Sequence, residues 1–149
     1  MVCDRGRFSG EGNRKTHCGI YFETIMTITI LGELYSSKNS RNTVKVGKRL
    51  IPLKSKRAKS QEADLHFQLL AQRKQFSEAM RGKEFPLRIQ FKIYRRTHGR
   101  FDFLNITQGI CDAMVRAQII PDDDAKHLIP VFVPYEKDKK NPRTEITIL

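Results

Sequence analysis

The chain has 149 residues, with 28 Lys and Arg against 16 Asp and Glu, and a formal net charge of +12. That length holds one domain, or one domain and a tail, and the charge points to a polyanionic partner. No apolar run approaches the ~20 residues that span a bilayer, and no basic amphipathic helix offers a membrane-binding face. Cys3, Cys18 and Cys111 lack motif spacing, which argues against a disulfide frame or a zinc site. The expectation is a reduced, cytoplasmic protein without a membrane partner.

Residues 1–25 are rich in Gly, Arg, Ser and Asn and carry no sustained periodicity before Ile20. They are nearly neutral, with four basic residues against three acidic, so the rest of the chain holds almost all of the positive charge. They read as an upstream extension or a disordered tail, with Met26 as the natural start. Met26 opens MTITILGEL, which alternates as a strand does. From Leu34 to Lys59 the chain is polar, and no acid interrupts its basic residues. Val44, Val46, Leu50 and Ile51 suit a short hairpin with Gly47 at its turn, one that can lie along a phosphate backbone. The alternative is a solvated flexible loop.

Ser60 reads as an N-cap for a helix running to about Met80. Leu65, Leu69, Gln72 and Phe76 fall at helical spacing, and Arg81-Gly82 ends the helix with Gly82 at C′. His66 on this helix reads as a surface or packing histidine. LRIQFKIY then alternates as a strand, with Leu87, Ile89, Phe91 and Ile93 towards a core and a basic opposite face. A second helix begins near Asp102, with Phe103, Ile106, Ile110, Ala113, Met114 and Ala117 as its buried stripe. Cys111 in that helix reads as a small buried hydrophobe. The strand HLIPVFVPY, a loop EKDKKNPR and a last strand TEITIL complete the chain. The expected fold is α+β, a mixed sheet of about four strands with two main helices packed on it.

Five of the sixteen acids lie between Asp102 and Asp124. Massed carboxylates repel one another unless a cation or a partner sits among them. Asp102, Asn105, Gly109 and Asp112 recur at steps of three and four and share one helix face. Asp122, Asp123 and Asp124 follow the helix. Oxygen-only ligands of this kind select Mg²⁺ or Mn²⁺. Each has a plainer account: Asp102 as a charge at a helix N-terminus, Asp112 as a solvated polar residue, the aspartates as a turn after proline. Gly109 either admits a close approach or packs on the sheet, and packing is the expectation.

These residues resemble the RusA family of Holliday junction resolvases, over roughly Met26 to Leu149. The resemblance rests on the opening strand with GELYSSKNSR, the helix from Ser60, the basic strand before RFDFLN, the helix ending CDAMVRAQII, and PDDDAKHL. It implies a homodimeric, Mg²⁺-dependent endonuclease that cuts four-way DNA junctions in recombination and repair. Asp102 stands at the first aspartate of the family's D-x-D-N motif and Asn105 at its asparagine. Asp112 stands at the later helix aspartate, and Asp122 and Asp123 at the D-D pair, with Asp124 a substitute if the register slips by one. Two positions depart: Leu104 replaces the motif's second aspartate, and Gln108 replaces the lysine of the next turn.

The expectation is therefore metal held by Asp102 and Asp123, with Asp112 and Asp124 secondary. Asn105 would orient a ligand or water. Lys38, Arg41, Lys45, Arg95, Arg96 and Arg100 would hold phosphates. Leu104 and Gln108 favour the alternative, a non-catalytic DNA-binding protein on the same scaffold. A basic RNA-binding protein is a third reading, without an aromatic stacking motif to support it.

Overall fold

A computed structural model describes residues 25–36 and 41–149, and for Arg41 the backbone alone. The expectation of an N-terminal extension, and the phosphate contact assigned to Lys38, lie outside the described residues. The elements in chain order are β1 (Thr27–Leu31), β2 (Arg41–Val46), β3 (Arg49–Lys54), α1 (Lys56–Ala71) and α2 (Arg73–Met80), followed by β4 (Leu87–Arg95), α3 (Phe103–Arg116), β5 (Leu128–Phe132), β6 (Glu136–Lys137) and β7 (Arg143–Ile148).

The main sheet runs β1-β7-β4-β5, and β6 also pairs with β4. It is mixed: β7 lies antiparallel to β1 and β4, while β5 and β6 lie parallel to β4. The α+β class with a mixed sheet thus holds, at five strands in that sheet. The fifth strand is β6, inside the segment expected to be loop. Its two residues pair only through Tyr94 and Arg95, too short a stretch for alternation to show.

Side-chain alternation puts one face of the sheet inward. Ile28 and Ile30, Ile89, Phe91 and Ile93, and Ile146 and Ile148 form the floor of the core. Leu65 and Leu69 of α1, Phe76 of α2, and Ile106, Ile110, Ala113 and Met114 of α3 cover it. Each such large side chain, fully buried, contributes roughly 1.5–3 kcal/mol of transfer free energy.

The first helix starts earlier than expected. Ser55, not Ser60, is its N-cap, and the Ser55 side chain accepts a hydrogen bond from Ala58 N. Lys56, Arg57 and Lys59 are therefore helical rather than part of a basic loop. The helix also breaks at Gln72, whose φ of −101° and ψ of 7° separate α1 from α2. Gln72 instead sends its side-chain amide to the Thr29 carbonyl oxygen at 3.0 Å. Gln68 donates to the Leu31 carbonyl oxygen and accepts from Leu31 N, at 3.0 and 2.7 Å. Gln61 does the same with Tyr35, at 2.8 and 3.1 Å. These three glutamines satisfy the free edge of β1 and the chain beyond it, and a covered edge cannot template another strand.

The β2–β3 pair is the hairpin expected at Gly47, which takes φ 63° at the turn. It forms a separate two-stranded sheet.

Candidate functional site

A cleft of about 360 Å³ opens between the start of α1, the outer face of α3 and the Asp-rich turn. Its walls include Tyr35, Lys54, Gln61 and Glu62 on one side and Asn105, Gly109, Asp112, Arg116 and Asp123 on the other. The α3 residues reach it because they lie at steps of three and four, opposite the buried stripe. Asp123 joins them because Ile119 and Ile120 are buried just after α3 and turn the chain back.

Gly109 corrects the expectation of sheet packing. A Cβ built on it would meet nothing within 4 Å, and the residue lines the cleft. Its lack of a side chain leaves room on the cleft floor, not against the sheet.

The charges divide into paired and unpaired groups. Glu62 binds Lys54 Nζ at 2.7 Å and lies 3.8 Å from Arg116 Nη1. It thereby ties the base of the hairpin to α3 across the cleft. Asp112 and Asp123 have no ion-pair partner among the described residues. The Asp123 carboxyl is raised above the usual carboxylate range, first by partial desolvation and next by the charge of Asp112. The two carboxylates therefore feel each other, and a cation between them would relieve the repulsion.

Asp102, expected as a leading metal ligand, is the N-cap of α3 and is absent from the cleft lining. Its carboxylate accepts from Asn105 N at 3.1 Å and from Asn105 Nδ2. Capping of this kind satisfies an otherwise orphaned helix N–H. The contact occupies the amide nitrogen of Asn105 and leaves Asn105 Oδ1 uncommitted in the cleft wall. Asp124 is likewise engaged elsewhere. It accepts from Lys126 N at 3.0 Å and meets His127 Nδ1 at 2.6 Å. The His127 contact, before the others, holds the Asp124 carboxyl below the usual range. Asp122 accepts from Asp123 N at 2.8 Å. Leu104 is 66% exposed beside Asp102, outside the cleft.

Of the expected phosphate contacts, Arg95 is withdrawn. It is buried, with Nε 2.9 Å from Glu33 Oε1, and its guanidinium lies 4.3 Å from the Phe101 ring centre. Strand alternation hides the reason, because Glu33 lies 62 residues away. Arg96, Arg100 and Lys45 are exposed. Lys54, Gln61, Glu62 and Arg116 were missed as cleft residues. Only the helix start at Ser55 puts Gln61 and Glu62 on the turns that face α3.

No family model matches the chain, and no curated protein matches it. Among the described residues, no helix is long and apolar enough to cross a membrane.

Proposed function

We propose that the chain is a Mg²⁺-dependent endonuclease acting on branched DNA, with a RusA-like scaffold, and that its acidic centre is Asp112 and Asp123. The observation that carries this reading is that one cleft of a protein of net charge +12 holds two carboxylates, Asp112 and Asp123, with no ion-pair partner among the described residues.

The donor set fits the ion. Asp112, Asp123 and Asn105 Oδ1 are all oxygen donors, as hard cations require. Among the described residues no three His, Cys, Asp or Glu side chains gather as a metal-binding group. Mg²⁺ is commonly held by only one or two carboxylates, with waters and substrate phosphates filling the rest. When bound, such an ion polarises a phosphodiester and lowers the pKa of attached water. The chain's own residues do the rest. Gly109 leaves space for a backbone to enter. Asp102 orients Asn105 through its Nδ2. Lys45, Arg96 and Arg100 are exposed cations available to phosphates.

The test is a purified protein, Mg²⁺ and a synthetic four-way junction. Wild type should place paired nicks across the junction, and Asp123→Asn should bind it without cutting. The second reading, a DNA-binding protein without catalysis, is favoured by one observation: Asp102 is satisfied within its own helix cap. It would be supported if wild type and Asp123→Asn bound the junction equally and neither cut it.

A further inference from the structure

The β2–β3 ribbon has exposed side chains at every position from Asn42 to Lys54. A lone two-stranded hairpin is marginal in water, so what this ribbon lacks is cover. Its register pairs Val44 with Ile51 and Val46 with Arg49. Alternation therefore puts Val44, Val46, Ile51 and Leu53 on one face, and Lys45, Leu50 and Lys54 on the other. Aliphatic side chains flank the turn on both faces, Val46 at 57% exposure and Leu50 at 70%. A flat protein surface would cover one and leave the other in water. A nucleic-acid groove touches both.

The charge selects the same occupant. No acid occurs between Glu33 and Glu62. Lys54, at the base, is held by Glu62 at 2.7 Å beside the cleft. Lys45, Lys48 and Arg49, towards the tip, form no ion pair among the described residues. The free positive charge thus sits at the distal end, where repulsion would resist a second copy of the same ribbon and attract phosphates. Two-stranded ribbons enter either groove of DNA, and from the minor groove apolar side chains wedge between base steps.

We propose that the β2–β3 ribbon enters a groove of the DNA held at the cleft. Lys45, Lys48 and Arg49 lie on the flanking phosphates, and Val46 and Leu50 press against base steps and unstack them. The ribbon thereby selects DNA that is easily opened, such as the crossover of a junction. This rests on the nucleic-acid reading given above.

The test uses full-length protein in EDTA and a four-way junction carrying 2-aminopurine beside the crossover and an anisotropy dye on one arm. Wild type should bind and raise the 2-aminopurine emission. Val46→Ser/Leu50→Ser should still bind, about tenfold more weakly, without the rise in emission. Lys48→Ala/Arg49→Ala should reduce the slope of log affinity against log salt by about 2, close to 0.9 per phosphate contact. Emission from Val46→Ser/Leu50→Ser equal to wild type would overturn the proposal, as would an unchanged salt slope. So would a smaller sedimenting species for Val46→Ser/Leu50→Ser, which would assign the aliphatics to a second copy. Wild type that binds with flat emission defeats the ribbon alone. Wild type with no anisotropy change defeats the DNA reading as well.

Discussion

Replacing Arg95 by Met would strip Glu33 of its 2.9 Å cation and leave only the more distant Arg96. Both side chains of the pair are only 8% exposed, and Nε–Oε1 is 2.9 Å. Removing one partner of a buried pair typically costs about 3–5 kcal/mol, because the remaining charge is stranded. Glu33 keeps the Tyr35 hydroxyl at 3.1 Å and has Arg96 at 4.0 Å, which places the expected loss near the low end, about 3 kcal/mol. For a domain of this size that corresponds to a fall in Tm of roughly 10 °C. Glu33→Gln/Arg95→Met should cost less than the sum of its single changes, because the two groups interact directly. Urea and thermal unfolding followed by circular dichroism measure both. The reasoning fails if Arg95→Met melts with wild type but loses junction affinity. Arg95 would then be a surface phosphate contact and the Glu33 pair inconsequential.

Gly109→Ala should stabilise α3 by about 1 kcal/mol, since the new methyl meets nothing in the fold and alanine favours helix. The same methyl narrows the cleft, so junction cleavage should fall while the urea midpoint rises; cleavage unchanged would mean that no substrate backbone passes there. Gln68→Leu removes both bonds to Leu31 and should cost about 1–2 kcal/mol, read as faster hydrogen exchange at the Leu31 amide. The Asp123 carboxyl should titrate above the ordinary aspartate range by NMR and move down in Asp112→Asn. A raised carboxyl pKa means that the folded state binds its proton more tightly than the unfolded chain, so ionised Asp123 costs stability as pH rises through that range. Asp112→Asn should therefore stabilise the metal-free protein at neutral pH, and an unmoved Asp123 midpoint would show that the two charges do not interact.

Much of this architecture was legible because it rests on local chemistry. Strand β4 alternates over its whole buried length, the stripe of α3 repeats at helical spacing, and Gly47 and Gly82 mark the turn and the helix end they occupy. The failures share a physical cause, competition from groups far along the chain. Ser60 is as good a cap by type as Ser55, but the helix is fixed by Gln68 reaching the edge of β1 and Gln61 reaching Tyr35 beyond it. Gln72 continues the apolar stripe by spacing, yet its amide is drawn to Thr29 and the helix breaks there. Arg95 reads as surface charge until Glu33 reaches it from the segment after β1. In the candidate site, spacing correctly set Asn105, Gly109 and Asp112 on one face. It offered the helix N-terminus as a second account of Asp102 without deciding between that and a metal ligand, and it could not show that Asp123 rather than Asp124 would turn towards Asp112.

The most direct measurement is Mn²⁺ binding, by calorimetry and by the loss of free-ion signal in electron paramagnetic resonance, on wild type and four single variants. Asp112→Asn and Asp123→Asn should each weaken binding by about tenfold or more, about 1.4 kcal/mol. Asp102→Asn, acting only through Asn105, should weaken it less, and Asp124→Asn should leave it unchanged. Binding that survives Asp112→Asn and Asp123→Asn but vanishes in Asp102→Asn would contradict the cleft as the metal centre.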